Sequence, residues 1–327
     1  MTVMKSLMLA AAAGTMAVIA GMAMAQNAAP AAGRAARPAP APMPTAWIPK
    51  KTPLTEYDAI NKPVARLSEI RAAHSKTASW DFPVVRNKEM WADWHQLAAG
   101  ARTPRVMYPD NRTGMIVWDG QVRVTVDGQE PFIASKGFEI NVPYRTPFTM
   151  ETVGNAPALY FQVREADHLP LYPVDTTPEK PADPAGYKYV KATLTADVGK
   201  IDAGQKPYLD YYKDVVAANG RGGAFISSDH FFFNNIRGMG TPTPPPTNLG
   251  HFHAEYTEFW FILEGKMEYL IEGIPEVLQA DAGDVVIAAQ GRFHRASFKA
   301  GQMDTRVAIN PFPNGEHNFA VESGGRQ

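Results

Sequence analysis

The sequence predicts an all-β protein in which one strand-rich unit is used twice, and three observations carry that expectation. The chain holds 28 prolines and 26 glycines in 327 residues, which implies many turns. Its length exceeds that of an ordinary single domain and leaves room for two cores. Two stretches, residues 114–154 and 258–298, share a rhythm of short strands punctuated by glycine.

The N-terminal segment has Lys5, a long apolar run, and Ala23-Met24-Ala25 just before Gln26. That pattern predicts a secretory signal over residues 1–25, cleaved after Ala25. The apolar run approaches the roughly 20 residues that span a bilayer. Gly14, Thr15, Gly21 and the small-residue triplet favour removal over a retained anchor. The expectation is a periplasmic or secreted protein with no stable membrane insertion after cleavage. Residues 26–46 are almost all Ala, Pro and Arg, too poor in bulky apolar groups to offset chain entropy, and are read as a disordered linker. The absence of cysteine excludes disulfides, thiolate ligands and a lipid-modified cysteine. With Lys+Arg 32 against Asp+Glu 33 and no long basic run, nucleic acid is not an expected partner.

Residues 47–167 form the first expected domain. Within it Asn87–Gly100 is read as a short helix with Met90, Trp91, Trp94 and Leu97 on one side, and His95 as a surface or packing histidine. In the repeated stretch that follows, Val122, Val124 and Val126 alternate with polar residues between Gly120, Gly128 and Gly137. Residues 168–204, rich in Pro and Asp, read as an inter-domain connection, and 205–327 as the second domain. The stretch 208–214, YLDYYKD, carries no interpretable pattern. Residues 227–250 bring His230, Arg237 and a proline-rich loop to the start of the second repeat, as a lid or a contact between domains. His317 reads as a surface residue.

The chemistry concentrates near the second repeat. His251 and His253 are two residues apart, so on a strand both imidazoles share one face. Glu258 would face the other way on an unbroken strand. For it to join them, Ala254–Thr257 must turn and a new strand must begin at Glu258. That strand would then place Glu258, Trp260 and Ile262 on one face and Phe259, Phe261 and Leu263 on the other. A carboxylate in such an apolar run is costly to bury unless it binds a cation. His294, returning after the turn at Gln290-Gly291, can stand beside the first three. Three imidazoles and one carboxylate suit one divalent transition metal ion, Fe, Mn, Cu, Ni or Zn, with open positions for a small molecule. Glu255 reads as either a general acid/base or an exposed turn carboxylate, and Tyr256 and Trp260 as pocket lining or core.

These residues resemble the paired motifs of the cupin superfamily. His251, His253, Glu258 and Gly265 meet the intervals of the first motif; Gly283, Gly291 and His294 meet the second. Ala289 stands where the family has proline, Phe298 where it has asparagine, and Pro245 where a glycine precedes the first histidine. The resemblance implies two double-stranded β-helix (jelly-roll) barrels with a few short helices, a bicupin. Carried back to the first repeat, the ligand positions become Val106, Tyr108, Thr113 and Phe148, which implies a degenerate, metal-free N-terminal barrel.

The expected function is a metal-dependent oxidoreductase of the dioxygenase type, acting on a small aromatic or phenolic molecule. The alternatives are a lyase, isomerase or decarboxylase using the ion as a Lewis acid, and a non-catalytic sugar or organic-acid binding protein. Exposed strand edges would allow a homodimer.

Overall fold

The computed structural model describes residues 45–108, 112–166, 170–172, 176–183, 185–192, 206–227, 232–240, 248–299, 301–312 and 315–321. The expected signal segment, almost all of the linker, His230 and the proline-rich loop 241–247 lie outside the described residues. Met1–Ala46 separates from Trp47–Gln327, and the fold is that of the second unit. No helix among the described residues is long and apolar enough to cross a membrane.

The unit opens with β1 (Val64–Ala65) and α1 (Leu67–Ala73). The first repeat runs through β2 (Trp80–Arg86), β3 (Met90–Leu97), β4 (Thr113–Asp119), β5 (Gln121–Val126), β6 (Phe132–Ser135), β7 (Phe138–Val142), β8 (Phe148–Thr152) and β9 (Ala158–Glu165). Then come β10 (Tyr208–Asp210) and a π-helical turn, Tyr212–Val216. The second repeat comprises β11 (Gly222–Ser227), β12 (Phe232–Met239), β13 (His251–Phe252), β14 (Glu258–Glu264), β15 (Lys266–Ile271), β16 (Leu278–Asp281), β17 (Val285–Ala288), β18 (His294–Phe298), β19 (Met303–Asn310) and β20 (Asn318–Phe319). The all-β expectation holds.

The repeat in sequence is also a repeat in topology. One six-stranded sheet has the order β10-β7-β4-β9-β3-β2 and the other β1-β17-β14-β19-β12-β11. Smaller sheets, β6-β5-β8 and β16-β15-β18-β13-β20, complete the two barrels. Each large sheet takes its edge strand from the segment ahead of the other repeat: β1 pairs with β17, and β10 pairs with β7. The halves therefore exchange strands.

Three cores follow from strand alternation. Along β14, Phe259, Phe261 and Leu263 join a core shared between the barrels, whereas Trp260 and Ile262 point into the second barrel. Along β4, Ile116 and Trp118 face the shared core, and Met115 and Val117 fill the first barrel. The shared core is aromatic: Phe261 lies 5.3 Å from Phe161, 5.5 Å from Trp94 and 5.7 Å from Trp118 between ring centroids. Fully burying a phenylalanine contributes about 2–3 kcal/mol, so this cluster holds the two barrels as one body.

The helix expected over Asn87–Gly100 is instead strand β3, flanked by β2 and β9. Met90 and Trp94 are four apart, a spacing that fits a helical face and a strand face equally. Two sheet partners decide for the strand, and Met90, Ala92 and Trp94 are all fully buried on its inner side. His95 is the packing residue expected, stacked 5.1 Å from Tyr160 and 2.5 Å from Asp81 Oδ1.

The uninterpreted YLDYYKD stretch proves structural. Tyr211 is fully buried and its hydroxyl donates to Glu264 Oε2 at 2.9 Å. Arg237 reaches the same carboxylate with Nε at 3.3 Å, at the far end of β14 from Glu258.

Candidate metal centre

His251, His253, Glu258 and His294 converge, with one ligand atom from each lying within 4.8 Å of all the others. Three local features build the cluster. Strand β13 pairs with β18 so that His251 stands opposite His294. Gly250 permits this approach: its φ is +77°, and a Cβ there would lie 2.0 Å from the His294 carbonyl oxygen. The chain then bends at Ala254–Glu255 and a new strand starts at Glu258, as the spacing required. Gln290 stitches the bend, with Nε2 donating to the Ala254 carbonyl at 2.8 Å and its N–H to Thr257 Oγ1 at 3.2 Å.

The first barrel repeats this frame without its chemistry. Val106 pairs with Phe148 as His251 does with His294, and Thr113 opens β4 as Glu258 opens β14. Apolar groups at Val106 and Phe148 and hydroxyls at Tyr108 and Thr113 replace the donors, so this barrel is the degenerate one.

Backbone carbonyls set the donor orientation. His253 Nδ1 donates to the Glu316 carbonyl at 2.6 Å, and His294 Nδ1 to the Arg292 carbonyl at 2.9 Å. A carbonyl can only accept, so both Nδ1 atoms carry protons, and in the neutral rings both Nε2 atoms turn lone pairs inward. Inside, His253 Nε2 lies 3.0 Å and His294 Nε2 3.2 Å from Glu258 Oε2, while His294 Nε2 lies 3.1 Å from His251 Nε2. His251 Nε2 is 4.0 Å from Glu258 Oε2. Around an ion with bonds of about 2.1 Å, donors at right angles lie ~3.0 Å apart and opposite donors ~4.2 Å apart. Three of these separations match right-angle pairs and one a nearly opposite pair, so the four residues would hold one divalent transition metal ion, which would keep room for an exogenous ligand.

Electrostatics favour the ligating forms. Burial pushes His251 down to about 2, helped by the neighbouring His294, so its ring is neutral. Burial works to raise the Glu258 carboxyl, but hydrogen bonds and positive charge from His253 and His294, present only when their Nε2 atoms bear protons, outweigh it and hold that carboxyl well below the usual range. A cation among these acceptors performs the same service.

The side chains of His253, Glu258 and His294 are only 2%, 7% and 2% exposed, whereas that of His251 is 21% exposed and marks the accessible edge. Tyr256 stacks on His253 at 4.3 Å and Trp260 meets His294 edge-on at 5.1 Å, both buried. Glu255 is exposed in the bend. Sequence reasoning missed the segment around Glu316, because a backbone carbonyl acting across the fold leaves no side-chain signal. His317 is exposed, as expected, yet its ring lies 4.4 Å from that of His251.

No family model and no curated protein matches the sequence. Among solved structures, a cupin 2 conserved barrel domain protein from Leptotrichia buccalis superposes with a TM-score of 0.50 at 10% identity, covering 77% of this chain and 100% of that one. A mutant of oxalate decarboxylase from Bacillus subtilis gives 0.49 at 13% identity, covering 81% of each chain. At such identities the likeness is one of fold.

Proposed function

From a two-barrel cupin fold whose second barrel gathers four inward-facing donors, we propose that this chain is an exported, metal-dependent oxidoreductase of the dioxygenase type acting on a small aromatic or phenolic molecule. One observation carries the reading: with their Nδ1 protons given to backbone carbonyls, neutral His253 and His294 turn buried Nε2 lone pairs toward the Glu258 carboxylate at 3.0 and 3.2 Å, with His251 beside them, an arrangement that a cation held among them relieves. The bound ion supplies a Lewis-acid and redox centre with room for an exogenous ligand.

The chain's own groups do the rest. Glu258 offsets part of the ion's charge, and the carbonyls of Arg292 and Glu316 keep two imidazoles in the ligating tautomer. Tyr256 and Trp260 exclude water from the inner side. At the accessible edge, the rings of His317 and Phe319 beside His251, and Phe312 beside Tyr256, offer faces on which a planar aromatic ligand can stack. Export rests on the N-terminal pattern.

The test is elemental analysis of the purified chain and of His251→Ala, followed by oxygen uptake with a panel of phenols. The expected result is about one transition ion per chain, lost on substitution, and oxygen consumption that depends on it. Unchanged metal content in His251→Ala would sink the reading at its base. Turnover without oxygen would redirect it to a lyase, isomerase or decarboxylase, and reversible binding without product to a binding protein.

A further inference from the structure

The segment 315–321 crosses the accessible edge of the centre and is fixed there at three places. Strand β20 pairs with β13, and Asn318 Nδ2 donates to the Phe252 carbonyl at 3.3 Å. The Glu316 carbonyl takes the proton of His253 Nδ1. Gly315 closes on Tyr256 so tightly that a Cβ would lie 1.9 Å from the tyrosine hydroxyl oxygen.

This strap places His317, whose ring centroid lies 4.4 Å from that of His251 and 5.0 Å from that of His253. His317 Nδ1 is 3.0 Å from the Gly315 carbonyl oxygen. A carbonyl cannot donate, so Nδ1 carries a proton, and in the neutral ring Nε2 is the acceptor. His317 is outside the set of four converging donors but stands beside His251, the most exposed of them.

We propose that His317 is a positioning residue whose Nε2 accepts a hydrogen bond from an O–H group on the exogenous ligand. The centre would then select small molecules that carry a hydroxyl next to their metal-binding oxygen. This inference rests on the metal-centre reading and deepens it. A neutral acceptor offers nothing to an anion without a proton to give, so preference for a hydroxyl is the signature.

The experiment loads the full chain with Co(II) and titrates glycolate and acetate, which differ by one hydroxyl, following the visible absorption of the ion. The unsubstituted chain should bind glycolate more tightly. His317→Ala should weaken glycolate about tenfold, the worth of one hydrogen bond, and acetate by roughly twofold or less. His317→Gln, whose amide oxygen can accept, should recover part of the loss. Equal losses for both anions would assign His317 to strap packing and overturn the proposal, as would no loss for either. Cobalt bound without any preference for the hydroxyl overturns this inference alone; failure of the unsubstituted chain to bind cobalt overturns the metal-centre reading and this inference with it.

Discussion

Glu139, outside the four-donor set, should make the stability of the fold depend on pH with a sign opposite to that of a salt-bridged carboxylate. It sits on β7, is fully buried, and meets one partner, Asn235 Nδ2 on β12 of the other barrel, at 3.0 Å. Its Oε1 and the Asn235 Oδ1 are both buried without a partner. A carboxyl proton is the donor that both oxygens lack. Burial raises the group to about 8 from an ordinary 4.5, and the hydrogen bond from Asn235 pulls only part of that back. Because the folded value is raised, the folded state holds the proton more tightly. The stabilisation is complete below about pH 4.5 and is lost as pH rises through about 8. Between about pH 5.5 and 7.5 the loss is roughly 3 kcal/mol, at most. Glu139→Gln keeps a neutral group that can both accept and donate, so it should remove this dependence. The assay is urea unfolding of both chains across that range, plotted as the difference in free energy, so that contributions from the metal ligands cancel. The variant should gain on the unsubstituted chain as pH rises. A flat difference would show that Glu139 is ionised when folded or does not bridge the barrels.

Two further outcomes follow from the geometry. Gly250→Ala forces a side chain into the left-handed region and against the His294 carbonyl; with strain of about 1–3 kcal/mol at the site, competition with a chelator should show metal affinity reduced about ten- to a hundredfold, and unchanged affinity would refute the role given to that glycine. Phe261→Ala opens the shared aromatic core at a cost of about 3–5 kcal/mol, and circular dichroism in urea should show both barrels lowered together in a single transition. A shift confined to one of two separate transitions would mean that the barrels do not share a core.

The sequence by itself determined the repeat, the four-donor constellation, the bend between His253 and Glu258, and the division of β14 into Glu258, Trp260 and Ile262 on one face and Phe259, Phe261 and Leu263 on the other. These are local matters, because strand alternation has a fixed period of two and ligand spacing along a strand inherits it. It also located Val106 and Phe148 as the vacated counterparts of His251 and His294, and the structure pairs them through an antiparallel bridge where β13 and β18 pair the histidines. Only the tertiary structure decided the rest. Met90 and Trp94 fit a helix or a strand until β2 and β9 lie on either side. The exchange of β1 and β10 between the halves, and the burial of Tyr211 against Glu264, depend on contacts between segments remote in the chain. The carbonyls of Arg292 and Glu316 fix the imidazole tautomers, yet every residue has a carbonyl, so only the folded chain brings those two to the histidines.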